Sequence, residues 1–99
     1  MNTRIFDVGE TVIWVNEVGL PRPALITAIH GDEREYEGVK HYPCCNLVFT
    51  SGDDSKTDPY GRQIERQTSI PHKLEQSAHG FYWRWPDEEP NPVAKNTRV

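Results

Sequence analysis

No long apolar run, no sustained helical period, no block of like charge and no spaced cysteine pair occurs in this sequence, and each absence removes a class of protein. No stretch approaches the roughly 20 apolar residues needed to span a bilayer, so a membrane protein is not expected. The N-terminal residues Met1-Asn2-Thr3-Arg4-Ile5-Phe6-Asp7 carry no apolar signal-peptide core, which makes the cytoplasm the expected compartment. Eleven basic and fifteen acidic residues are scattered along the chain, for a net charge of −4. A protein that meets nucleic acid through its phosphates needs a cationic stripe, and none is present.

The two cysteines, Cys44 and Cys45, are adjacent. In a strand they point to opposite faces, and a bridge between neighbours demands strained geometry. Reduced thiols with a packing role are expected instead. Four histidines (His30, His41, His72, His79) offer imidazole, but no Cys-x-x-Cys pair and no His-x(3–5)-His pair supplies zinc spacing. His41 with Cys44 is the only local couple, and no metal site is expected. No Gly-x-Ser-x-Gly turn, phosphate-cradling glycine loop or dinucleotide fingerprint appears, so no cofactor and no catalytic residue is assigned. Cys45 with His72 is the sole imaginable nucleophile and base, and nothing in their local sequence supports the pairing.

What remains is turn-rich and β-like. Only 35% of the 99 residues are hydrophobic, while seven glycines and eight prolines punctuate the chain, which favours short elements in one small domain. Thr11-Val12-Ile13-Trp14-Val15 is a β-branched and aromatic run that predicts a first strand. Val12 and Trp14 compete with Ile13 and Val15 for its inward face. Residues 16–23, with Gly19, Pro21 and Pro23, predict a loop. Residues 24–29 are apolar on both faces and predict a central second strand.

Residues 30–43 have no apolar period and read as an exposed connection. Cys44-Cys45-Asn46-Leu47-Val48-Phe49-Thr50 restores strand character, and turn chemistry follows at Ser51-Gly52-Asp53-Asp54-Ser55 and again at Asp58-Pro59-Tyr60-Gly61. A fourth strand is predicted within 64–70. Residues 72–79 have room for one helical turn, and Phe81-Tyr82-Trp83-Arg84-Trp85 forms a final aromatic strand. The expected fold is all-β, a small five-stranded barrel over residues 1–86, with residues 87–99 as a disordered or extended C-terminal tail.

Four pieces in order carry a family likeness: Gly9-Glu10-Thr11-Val12-Ile13-Trp14, Pro21-Arg22-Pro23-Ala24-Leu25-Ile26-Thr27, Cys45-Asn46-Leu47-Val48-Phe49, and Thr68-Ser69-Ile70-Pro71-His72 with Tyr82-Trp83-Arg84-Trp85-Pro86. On these the chain resembles a group of small tailed-bacteriophage and prophage proteins predicted to be SH3-like barrels. The resemblance implies that fold and a phage origin, and it carries no ligand with it. This chain departs from the group by an acidic insert between Gly31 and Pro43, by the doubled cysteine and by the longer C-terminal tail.

Candidate binding residues follow from the aromatic strand. If Phe81, Trp83 and Trp85 fill the barrel, Tyr82 and Arg84 face outward, where with Trp14 or Tyr60 they make an aromatic and cationic groove; the bland reading makes all of these aromatics core and edge. Arg22, held extended between two prolines, suits phosphate or carboxylate recognition, or the prolines merely set the entry to the second strand. Asn46, polar within an apolar strand, either bonds a loop or lines a pocket. The expected role is a non-catalytic binding module acting through protein–protein contact with a phage or host protein, as a virion component or a host-interaction factor. A homo-oligomer is compatible with this. One alternative is an oligomeric binder that sequesters an anionic nucleotide with Arg22 and Arg84. A weak nucleic-acid binder using the same residues is the other.

Overall fold

The β-branched residues predict extended backbone, and the computed structural model, which describes residues 4–76 and 80–92, is built of strands. They are β1 (Thr11–Val15), β2 (Pro21–His30), β3 (Arg34–Tyr36), β4 (Val39–His41), β5 (Cys44–Thr50), β6 (Thr57–Asp58), β7 (Gly61–Arg62), β8 (Ile64–Ile70) and β9 (Tyr82–Arg84). Five form one curled half-barrel sheet in the order β8-β5-β2-β1-β9, while β3-β4 and β6-β7 are separate hairpins. Every pairing in the five-stranded sheet is antiparallel. Beyond the end of β8, His72 makes a parallel bridge to Trp83, and the Trp83 amide donates to the Pro71 carbonyl at 2.9 Å. That contact draws the two edge strands together. Among the described residues the only helical element is a 3-10 turn, Lys73–Glu75.

Strand alternation selects the inner face. Val12 and Trp14 of β1, Ala24 and Ile26 of β2, and Cys45, Leu47 and Phe49 of β5 join one buried cluster there, which puts Val12 and Trp14 on the core side of the first strand, while Val15, also buried, lies outside that cluster. Trp83 and Trp85 pack beneath them, as the reading of the aromatic strand requires. A buried tryptophan removes roughly 150–250 Å² from water, so each contributes about 4–6 kcal/mol before entropy is counted. No single hydrogen bond here, at about 1 kcal/mol net, competes with that. The core is therefore aromatic in energy as well as composition.

Several expectations need correction. The second strand begins at Pro21, not after Pro23, with Arg22 paired to Trp14. The Ile26 amide donates toward β1, to the Glu10 carbonyl at 3.0 Å, so alternation points residues 21 and 23 to the other side. There β5 pairs only from Leu25↔Val48 onward, and two missing N–H groups cost nothing at an open edge. β2 is central, yet its outer face is not covered: Leu25 is exposed. Residues 30–43 are not a plain connection, because they contain the β3–β4 hairpin and end on the buried Tyr42.

The C-terminal segment is also more tied than a free tail as far as residue 92. Glu88 Oε1 accepts from the Trp85 amide at 2.8 Å and Asn91 donates its amide to the Tyr82 hydroxyl at 2.9 Å. Residues 93–99, and His79 of the expected helical turn, lie outside the described residues.

Candidate functional site

The acidic insert builds a concavity against the neighbouring strands. β2 ends at His30, and Gly31 then turns with φ +133°; a Cβ there would stand 3.2 Å from Pro43 Cβ, so the close approach and the backbone angle both call for glycine. The chain returns through the Glu37-Gly38 connection between β3 and β4. Both residues have positive φ, 52° and 79°, as a two-residue type I′ hairpin demands. Register places Arg34 opposite His41 and Tyr36 opposite Val39 on one face of the arm. On the other face Glu35 lies opposite Lys40, whose ammonium pairs with Glu33 at 3.4 Å.

One contact ties this arm to the 3-10 turn and another braces the arm internally. His41 Nδ1 lies 2.7 Å from Glu75 Oε2 on the 3-10 turn, and the Tyr36 ring meets the His41 ring edge-on at 6.3 Å. Between arm and sheet lies a cleft of about 560 Å³, with Tyr42, Pro43 and Cys44 on one side, His30, Gly31 and Asp32 on another, and Arg34, Glu35, Tyr36, His41 and Glu75 completing it. Its volume falls in the ordinary range of ligand pockets. The Tyr42 ring packs edge-on to Phe6 at 5.0 Å and to Trp85 at 5.6 Å, so it is anchored in the core. Burial raises the Tyr42 hydroxyl above its usual pKa. The side chains of Asp32, Arg34 and Glu35 make no hydrogen bond or ion pair among the described residues.

The six residues singled out from sequence do not converge. Trp14 is core: it stacks on Phe49 with ring centroids 4.2 Å apart and donates Nε1 to Gln67 Oε1 at 3.2 Å. Tyr82 is 3% exposed, so it cannot face a surface groove. Arg84 is spent on backbone, with Nη1 donating to the carbonyls of Trp85, Pro86 and Glu88. The expected Tyr82–Arg84 groove is thus closed by the segment that follows it. Tyr60 is 97% exposed at the tip of the β6–β7 hairpin, and Arg22 donates to Thr50 Oγ1 at 3.4 Å.

Asn46 lies behind the cleft rather than in it. Its Oδ1 contacts His30 Nε2 at 2.7 Å and accepts from the Ser69 amide at 3.0 Å, so it bonds a strand end and steadies a cleft histidine. Cys45 is fully buried, and burial pushes its thiol up to about 12. That is the opposite of an activated nucleophile. His72 is engaged by Glu88 at 2.9 Å rather than by Cys45. No group of three or more His, Cys, Asp or Glu residues among the described residues is arranged to hold a metal ion.

Asp32, Arg34, Tyr36, Tyr42 and Glu75 were not singled out by sequence reasoning, and His41 was weighed only as a metal ligand beside Cys44. The one local signal is Glu37-Gly38 between Tyr36 and Val39, a turn pair flanked by β-forming residues. Comparison of the chain with protein-family models, with curated proteins and with solved structures finds no match. No helix among the described residues is long and apolar enough to cross a membrane.

Proposed function

We propose that the chain is a phage-derived, non-catalytic binding module of the SH3-like barrel kind, and that it takes hold of a partner protein, of phage or host, through the cleft under the β3–β4 arm. The barrel reading is supported by the antiparallel order β8-β5-β2-β1-β9 and by a short 3-10 turn before the last strand. The phage origin rests on the family resemblance alone. The observation that carries the binding reading is the cleft itself. It has three carboxylates (Asp32, Glu35, Glu75) against one guanidinium (Arg34), and two tyrosines, Tyr36 and Tyr42. Its two histidines are already engaged, His30 by Asn46 and His41 by Glu75. Carboxylates beside aromatic faces favour a cationic side chain, because charge pairing and the ring quadrupole both attract it.

The test is an NMR titration of the labelled protein with a short arginine-containing peptide and, separately, with its glutamate counterpart. The arginine peptide is expected to shift the amides of Gly31, Glu35, Tyr36 and Cys44, and added salt to weaken the effect. Asp32→Asn with Glu35→Gln should weaken binding several-fold. Equal shifts from both peptides, or shifts confined to Arg22 and Tyr60, would overturn the assignment of the cleft.

A further inference from the structure

The 3-10 turn that supplies Glu75 to the cleft is capped by a histidine with no exposure to solvent. His72 is 0% exposed, and its ring lies 4.7 Å from Trp83 and 5.0 Å from Tyr42. Nδ1 accepts the Leu74 amide at 3.4 Å, the capping contact of the turn, and Nε2 lies 2.9 Å from Glu88 Oε1. These partners define one tautomer: a bare Nδ1 facing an N–H, and an Nε2–H donating to a carboxylate. We propose that His72 makes the cleft wall sensitive to pH: a proton added at Nδ1 sets two donors against each other, uncaps the turn and loosens the wall that carries Glu75. The inference rests on the cleft being the binding surface, and adds how that surface is regulated.

The charges facing His72 are few. Glu88 approaches from the turn after β9, Lys73 and Glu75 belong to the 3-10 turn itself, and Tyr42 faces the ring from the end of the β3–β4 arm. Of these groups only Glu88 is hydrogen-bonded to the ring, and it is shared with the Trp85 amide at 2.8 Å. Glu88 attracts the imidazolium while burial opposes it, and burial is the larger effect, lowering the His72 pKa. His41 acts in the other direction. A proton there tightens its contact with Glu75, so the two rings need separate readouts.

A pH titration of the unliganded full chain by NMR separates them. The imidazole nitrogen shifts of His72 should report the Nε2–H tautomer on the alkaline side. On acidification the amides of Leu74 and Glu75 are expected to move with the midpoint of the His72 ring, and to do so equally in His41→Gln. In His72→Gln that transition should vanish while the β-sheet amides keep their positions. A Nδ1–H tautomer, Leu74 and Glu75 amides that ignore the His72 midpoint, or collapse of the whole spectrum at that midpoint would each overturn the proposal. No ligand enters the measurement, so such a failure leaves the binding reading standing, whereas a failed peptide titration leaves the His72 transition observable but removes its role in regulating binding.

Discussion

Trp14 and Gln67 meet across the open side of the sheet: the indole Nε1 of Trp14 donates to Gln67 Oε1 at 3.2 Å, joining residues 53 positions apart. Their strands, β1 and β8, are separated by β2 and β5 in the sheet order, so no ladder bonds connect them directly. The contact therefore spans the half-barrel. Gln67→Leu should leave the indole N–H without an acceptor, costing about 1–3 kcal/mol. Urea unfolding followed by tryptophan fluorescence would read it. A loss within experimental error would mean that the curl is held by apolar packing and the His72–Trp83 bridge alone.

The adjacent cysteines differ in burial more than their sequence suggests. Cys44 is half-buried at the cleft, whereas Cys45 is fully buried with its thiol pushed up to about 12. Thiolate is the reactive form. A disulfide reagent added to the native protein should thus modify one thiol promptly, and the second only when denaturant is added. Cys44→Ser should abolish the prompt phase. Two prompt equivalents in the native protein would contradict the burial of Cys45.

The elements that were legible in the sequence are those whose side chains repeat a pattern. Thr11–Val15 and Cys44–Thr50 alternate visibly, and both strands stand where the pattern puts them. Pro21 and Pro23 misled because proline forbids a ladder bond only where the missing N–H is needed, and that depends on how far β5 extends. Tyr82 and Arg84 misled differently. Alternation placed them on the outer side correctly, but burial there comes from residues 86–91 folding back, a contact that no local period encodes. The cleft was illegible for the same reason. Its polar groups come from the insert and from Glu75, thirty-four positions after His41, and only the fold brings them together.

The hairpin arm invites a gain of stability. Glu37 carries φ 52°, a left-handed conformation that disfavours residues other than glycine, asparagine and aspartate. Glu37→Asn creates the Asn-Gly pair preferred for a type I′ turn. Relief of such strain should add about 0.5–1 kcal/mol, seen as slower amide hydrogen exchange at Tyr36 and Val39. Unchanged exchange would show that the arm opens by detaching at His41–Glu75 rather than by unfolding its turn.

Acid should destabilise the protein in two stages with different owners. The first belongs to His72, whose pKa burial lowers from the unfolded value of 6.5. Folding favours its neutral ring, so the unfolded chain binds the extra proton between the two pKa values, and stability is complete above 6.5 and declines as pH falls toward the folded midpoint. The second belongs to Asp53 and Asp87, held below their usual 3.8 by the hydrogen bonds from Ser55 and Arg4. Their contribution is present above 3.8 and is lost only as they protonate, and both are exposed, so it is small. The denaturation midpoint of the wild-type chain should therefore begin to fall just below 6.5. In His72→Gln, which keeps a donor for Glu88, it should hold level until the carboxylate range. A variant that lost stability over the same interval as the wild type would transfer the first stage to another group.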